Sequence, residues 1–189
     1  MQRLFMVLHL VTFTFNFGCD STGNDGHGAG AAVEPTRYDL VDNRFWVRVE
    51  GEQDPWSESK PSDAEDCTDV DLDVEEQPDG TWFDVVTKGC GYVTVHQTLQ
   101  HDIPKGAQMT VRIWHFKMSG WEGTFQLAYQ IGMDGPPEWK VEKEVPSASG
   151  LIYEQWAATR DYQAGDDVYF NVSNHGENTW SLIEFSATY

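Results

Sequence analysis

The chain has 189 residues, 12 Lys and Arg against 31 Asp and Glu, and a formal net charge of −19. Nucleic-acid binding needs clustered Lys and Arg, and docking on anionic lipid by charge needs the same, so this balance excludes both. The length allows one domain with a sizeable core. Acidity on this scale reads first as solubility; cation binding or a salty habitat is the sharper alternative.

In chain order, Met1-Gln2-Arg3 precedes an apolar run from Leu4 to Phe17 that ends at Gly18-Cys19. A short basic start, a brief apolar stretch and a small residue before the cut make a secretory signal over residues 1–18. The run is short of the ~20 apolar residues that span a bilayer. Arg3 is the only charge it carries, so its removal leaves the mature chain near −20. Residues 19–36, rich in Gly, Ala and small polar side chains, cannot bury enough apolar area to offset chain entropy and are predicted to be a flexible tether. His27 is read as solvated.

From residue 37 to 189, frequent aromatics and recurring Gly, Pro, Asn and Asp predict an antiparallel β-domain of nine or ten strands. Arg44 to Glu50 alternates, with Phe45, Val47 and Val49 on one face and Trp46 and Arg48 on the other. Residues 53–66 read as a loop. Val70, Leu72 and Val74 alternate with Asp69, Asp71, Asp73 and Glu75 and predict a half-buried strand with an acidic outer face. After the Pro78-Asp79-Gly80 turn, strands are predicted over 82–87, 92–101, 108–117, 124–131, 138–145, 150–161, 167–173 and 179–188.

Cys67 and Cys90 are the only cysteines of this region. In an exported protein they are expected to pair, since two cysteines without nearby histidine spacing make a poor zinc site. Asp69, Asp71 and Asp73 have the D-x-D-x-D form, but an EF-hand needs Gly sixth and Glu twelfth, where this chain has Val74 and Gly80. A structural Ca²⁺ held partly by backbone oxygens stays open as the alternative; no cofactor and no metal ligand is assigned. By strand parity His115 follows Val111 and Ile113 inward, and His101 follows Val93, Val95 and Leu99. His96 and His175 lie on or near strands. No Gly-x-Ser-x-Gly is present, and acidic residues are too frequent to nominate a catalytic pair.

Gly18-Cys19 after an apolar run resembles the lipobox of bacterial lipoproteins, although Asn16 and Phe17 stand where aliphatic and smaller residues are usual. The resemblance implies lipidation of Cys19, a membrane anchor and a place in the bacterial cell envelope, periplasmic or at the surface. Asp20 fits the pattern that retains enteric lipoproteins in the inner membrane. Ordinary signal cleavage, with a free or differently paired Cys19, is the alternative.

A second resemblance runs through Ile103-Pro104-x-Gly106, Trp114-His115, Pro146-Ser147, Ala164-Gly165-Asp166 and Phe170-x-Val172-x-Asn174-His175-Gly176-x-Asn178-x-Trp180. This order looks like the second half of a jelly-roll β-sandwich of the galactose-binding-like, carbohydrate-binding-module kind. It implies fold more than function, since such folds host binding modules, lectins and enzymes.

Trp46, Trp114, Trp156 and Trp180 are expected in the core, being within strands. Trp56, Trp121 and Trp139 lie in or beside loops. Sugars present apolar C–H faces to exposed rings and hydroxyls to carboxylates and amides. Trp121, Glu122, Tyr129, Asp134 and Trp139 are therefore the candidate ligand-binding residues; the bland account is that these rings lid the core edges. The hairpin Asn174 to Asn178 is assigned turn work. Glycan binding without catalysis is the first reading. An interaction lipoprotein meeting an envelope protein is the second, and an enzyme the third. The domain is expected to be monomeric, with a glycan or envelope protein as partner.

Overall fold

The computed structural model describes residues 34–189, the side chains of residues 119–121 excepted. The signal segment, Cys19 and His27 lie outside the described residues. Eleven strands occur among those described: β1 (Arg37–Asp39), β2 (Val47–Val49), β3 (Leu72–Gln77), β4 (Gly80–Val86), β5 (Tyr92–Thr98), β6 (Gln108–His115), β7 (Met118–Ile131), β8 (Trp139–Ser147), β9 (Gly150–Ala157), β10 (Asp167–Asn174) and β11 (Thr179–Thr188). They form two sheets. Sheet I has the order β3-β4-β11-β6-β9, with β1 also paired to β11; sheet II has the order β2-β5-β10-β7-β8. Every pairing between these strands is antiparallel.

From β4 onward the chain crosses between sheets at every connection except the β7–β8 hairpin. Eight strands ordered β4-β11-β6-β9 and β5-β10-β7-β8 are a jelly-roll sandwich. The protein is thus an all-β, two-sheet jelly roll, as the C-terminal pattern implied.

Alternation builds the core from both inner faces. Met109, Val111 and Ile113 of β6 meet Phe125, Leu127, Tyr129 and Ile131 of β7 and Val168, Phe170 and Val172 of β10. On β11 the inward set is Trp180 and Leu182, then Phe185 and Ala187. The change of phase is a bulge between Leu182 and Glu184, where an extra residue enters one strand only. Tyr129 bridges the sheets, stacked on Phe170 at 4.8 Å and on Phe185 at 4.3 Å. Trp139 and Trp156 stack at 6.3 Å and close the β8–β9 edge.

His115 is buried between Phe125 and Trp180, as parity predicted, and its Nδ1 lies 3.0 Å from the Phe116 carbonyl. Burial lowers its pKa below the ordinary histidine range, the bond to Phe116 opposes that, and the Lys143 charge adds to it. The unfolded chain therefore binds this proton more readily than the native one. The stability held at His115 is complete above about pH 6.5 and is lost as pH falls through that value toward the lowered native one. His115→Phe should flatten the fall in urea midpoint between pH 7.5 and pH 5 (both approximate bounds around the histidine range). An unaltered pH profile in the variant would assign the acid sensitivity elsewhere.

Two readings are corrected, at Val70 and at His101. In the β2 region Trp46 is buried, as expected, while Phe45 is 62% and Val47 61% exposed. The Trp46 indole donates to Asn43 Oδ1, and Asn43 donates to the carbonyls of Thr81 and Leu182, which pins the larger ring inside. Val70 is 91% exposed, because Asp69–Asp71 is a 3₁₀ turn closed by Thr68, whose N–H and hydroxyl both donate to Asp71 Oδ2. That local bonding competes with extended backbone, so β3 starts only at Leu72. His101 is exposed, since β5 ends at Thr98 and parity carries no further. Trp56 is buried: residues 50–66 fold over the outer face of sheet II, where Trp56 packs with Tyr92, Ala128 and Tyr169.

Asp54 fastens that loop. Its carboxylate accepts from the Trp56 N–H, the Tyr92 hydroxyl at 2.7 Å and the Thr94 hydroxyl at 2.8 Å. Burial, and then the bond to Asp54, raise the Tyr92 pKa far above the ordinary phenol value. Cys67 and Cys90 are disulfide-bonded, tying the far end of the loop to the β4–β5 turn.

A candidate binding face on sheet I

The five sequence-nominated residues do not converge. Trp121 and Glu122 lie near the start of β7, and Asp134 and Trp139 follow its end. Eight residues of strand separate Trp121 from Tyr129, about 27 Å at strand rise. The Trp121 side chain lies outside those described. Glu122 and Asp134 are exposed. Tyr129 is fully buried in the aromatic stack and presents no face to a ligand, which corrects its nomination. Trp139 is half-buried against the core and lids its edge.

Asp69, Asp71 and Asp73 are likewise used apart. Asp69 pairs with Arg48, Asp71 caps Thr68, and Asp73 accepts from the Val74 N–H. Among the described residues, no three His, Cys, Asp or Glu side chains group closely enough to hold a metal ion.

Registry brings together a different set. On β4, Phe83 and Val85 point inward, so Trp82 and Asp84 point out. On β6, Met109, Val111, Ile113 and His115 point inward, so Arg112 and Trp114 point out. Trp114 is therefore half-buried on the outer face rather than in the core. On β9, Ile152 points inward and Leu151 and Tyr153 point out.

Pairing aligns these as two rows. The first is Asp73, Asp84, Ser181, Trp114 and Leu151, each the direct partner of the next across five strands. The second pairs Glu75 with Trp82 on β3 and β4, and continues beyond the bulge as Glu184, Arg112 and Tyr153. Adjacent strands lie about 4.8 Å apart, so Trp82, Trp114 and Tyr153 span roughly 15 Å of one sheet face. Tyr153 is 52% and Leu151 46% exposed.

The charges of the face fall into two groups. Glu184 is almost buried and is held by Arg37 at 3.2 Å, Arg112 at 3.4 Å and the Ser186 hydroxyl at 2.6 Å. The other group is Asp73, Glu75 and Asp84. Burial raises the Asp84 pKa; a bond from Ser181 opposes the shift, and the Glu75 and Asp73 carboxylates add to it. Asp84 Oδ1 and Trp82 Nε1 are buried without hydrogen-bond partners.

The available signal for this face was parity. The alternation that sends His115 inward sends Trp114 outward. What joins Trp82, Trp114 and Tyr153 is strand order, which no local pattern carries.

No family model matches the chain, and no curated protein matches it. Solved structures do. A carbohydrate-binding module described for specific mannan recognition aligns with 82% of this chain and 99% of its own, at 11% identity and a TM-score of 0.46. A family 11 carbohydrate-binding module from Clostridium thermocellum, in complex with a β-1,3-1,4-mixed-linked tetrasaccharide, aligns with 83% of this chain and 96% of its own, at 14% identity and 0.44. The C-terminal family 6 module of a laminarinase from Zobellia galactanivorans aligns with 82% and 98%, at 6% identity and 0.42.

Proposed function

We propose that this chain is an exported, lipid-anchored domain that binds carbohydrate without catalysis, through the outer face of sheet I. The observation that carries the reading is the pair of registered rows placing Trp82, Trp114 and Tyr153 on one face of a rigid sheet. Rings held in this way meet the apolar C–H face of a sugar with little ordering cost. Arg112, partly exposed beside the rings, supplies donors for hydroxyls. Export is supported by the N-terminal segment and by the Cys67–Cys90 disulfide, which persists in oxidising compartments. Lipidation at Cys19 and the tether would hold the binding face away from a membrane in the periplasm or at the cell surface.

The test is isothermal titration of the chain carrying Cys19→Ser against a panel of soluble glycans. Trp114→Ala and Tyr153→Ala are each expected to weaken binding about tenfold, the equivalent of one stacking contact. Trp139→Ala, a change at the core edge, should lower stability and leave affinity nearly unchanged. Loss of binding in Trp139→Ala with full binding in Trp114→Ala would overturn the placement on sheet I. A folded chain that binds no glycan would turn the same aromatic face into a protein-docking surface.

A further inference from the structure

The carboxylates of the platform stand out by what they lack. Among the described residues, none of Asp73, Glu75 and Asp84 forms an ion pair, whereas Glu184 on the same face has two. Asp73 and Asp84 are direct cross-strand partners, and Glu75 is the partner of Trp82. Like charges placed directly opposite destabilise a sheet. Asp84 is only 7% exposed, yet its Oδ1 accepts no hydrogen bond. A buried carboxylate oxygen without a donor is costly. Two residues away on the same strand face, the Trp82 N–H is a buried donor without an acceptor.

We propose that the corner formed by Asp73, Glu75 and Asp84 beside Trp82 takes an ammonium group, and that the glycan class held on this face carries free amino groups. The inference rests on the carbohydrate reading above and deepens it. An ammonium has three N–H donors and no acceptor. Both unmet atoms are covered in the free domain, so a turn of the Asp84 carboxylate and of the Trp82 ring would open them: one donor would go to Asp84 Oδ1 and one to the Asp73 oxygen left free by the Val74 N–H, with the charge beside the Trp82 ring. A hydroxyl on the same sugar would accept from Trp82 Nε1. The corner thus has an unmet acceptor, an unmet donor and an aromatic ring within two registered pairs, which matches an amino sugar with a neighbouring hydroxyl. A metal ion fits less well, because the three carboxylates do not close into a coordinating group. The chain's net charge of −19 adds to the attraction of a polycation and repels uronate or sulfated polysaccharides.

The measurement compares a glucosamine oligomer with its fully N-acetylated counterpart. The chain with Cys19→Ser is used, at a pH where the amine is protonated, over a salt series. The free-amine oligomer should bind about tenfold tighter at low salt, and the preference should shrink as salt rises. Asp84→Asn, which keeps shape, and Asp73→Asn, at an exposed residue where folding is not at risk, should each erase most of the preference. Asp73→Asn should leave affinity for the acetylated oligomer unchanged. Equal affinities for the two oligomers, with binding lost in Trp114→Ala, would overturn the ammonium site and leave the carbohydrate reading standing. No binding of these oligomers or of any neutral glycan would overturn both. A lysine-rich peptide that binds the corner while no amino sugar does would move the ligand class from glycan to protein.

Discussion

Replacing Tyr129 by Ala should cost the domain about 3–5 kcal/mol, the range for emptying a large aromatic site in a packed core. Tyr129 is fully buried, and its ring lies between Phe170 of sheet II and Phe185 of sheet I. Truncation would leave a void where rings from both sheets stack in sequence, and the two flanking rings could not collapse into it without breaking their own packing. The hydroxyl makes the opposite prediction. Its oxygen is buried without a partner, and burial holds its pKa well above the ordinary phenol value. Tyr129→Phe removes that desolvated group and keeps the ring, so it should stabilise the domain by about 1 kcal/mol. Urea denaturation with an unchanged slope would read both effects. A Tyr129→Phe variant that is markedly destabilised would show that the hydroxyl has a partner. Loss of glycan affinity in a folded Tyr129 variant would return this residue to the binding site.

The second large effect concerns the disulfide. Cys67 and Cys90 are separated by 23 residues. Opening a loop of that length is worth roughly 3 kcal/mol in the chain-entropy account. Here the crosslink also holds a structure with few other anchors. Backbone bonds from Cys67 N–H to the Tyr92 carbonyl and from Gly91 N–H to the Glu65 carbonyl join the same two segments. Residues 50–66 then reach back to cover Tyr92 and Tyr169 through Trp56. The double substitution Cys67→Ser/Cys90→Ser should lower the urea midpoint by the equivalent of about 3 kcal/mol and increase amide exchange in residues 50–66 first. Matched stability of the oxidised and reduced proteins would mean that the Asp54 network alone secures this loop. Affinity of the sheet I face should survive, since no residue of that face is bonded to the loop's Asp54 anchor.

Much of the β-structure was legible as alternation. Met109, Val111, Ile113 and His115 share one parity, and all four are buried. The turns at Gly106, Gly165 and Gly176 have positive φ values of 89°, 95° and 137°, which glycine adopts at little cost. Where the reading failed, a non-local or side-chain interaction outweighed the pattern. The Thr68–Asp71 cap turned an apparent strand around Val70 into a turn. The three-residue β1 carries too little pattern to be seen, and exists because β11 offers it a partner.

The sequence by itself determined the all-β class, the pairing of Cys67 with Cys90, and the burial of His115. These depend on composition, on cysteine count, or on a period of two within one strand. Only the tertiary structure decided which rings form a surface. Trp82, Trp114 and Tyr153 are each more than 30 residues from the next, and share one sheet face because β11 joins β4 to β6 and β9 pairs with β6. Tyr129 was drawn the other way, into the stack, because β7 lies between β10 and β8 and its inner face meets Phe185 of β11. Strand order is set by the burial of both sheets against each other, a property of the whole chain, and the face it leaves outside is where the chemistry proposed here resides.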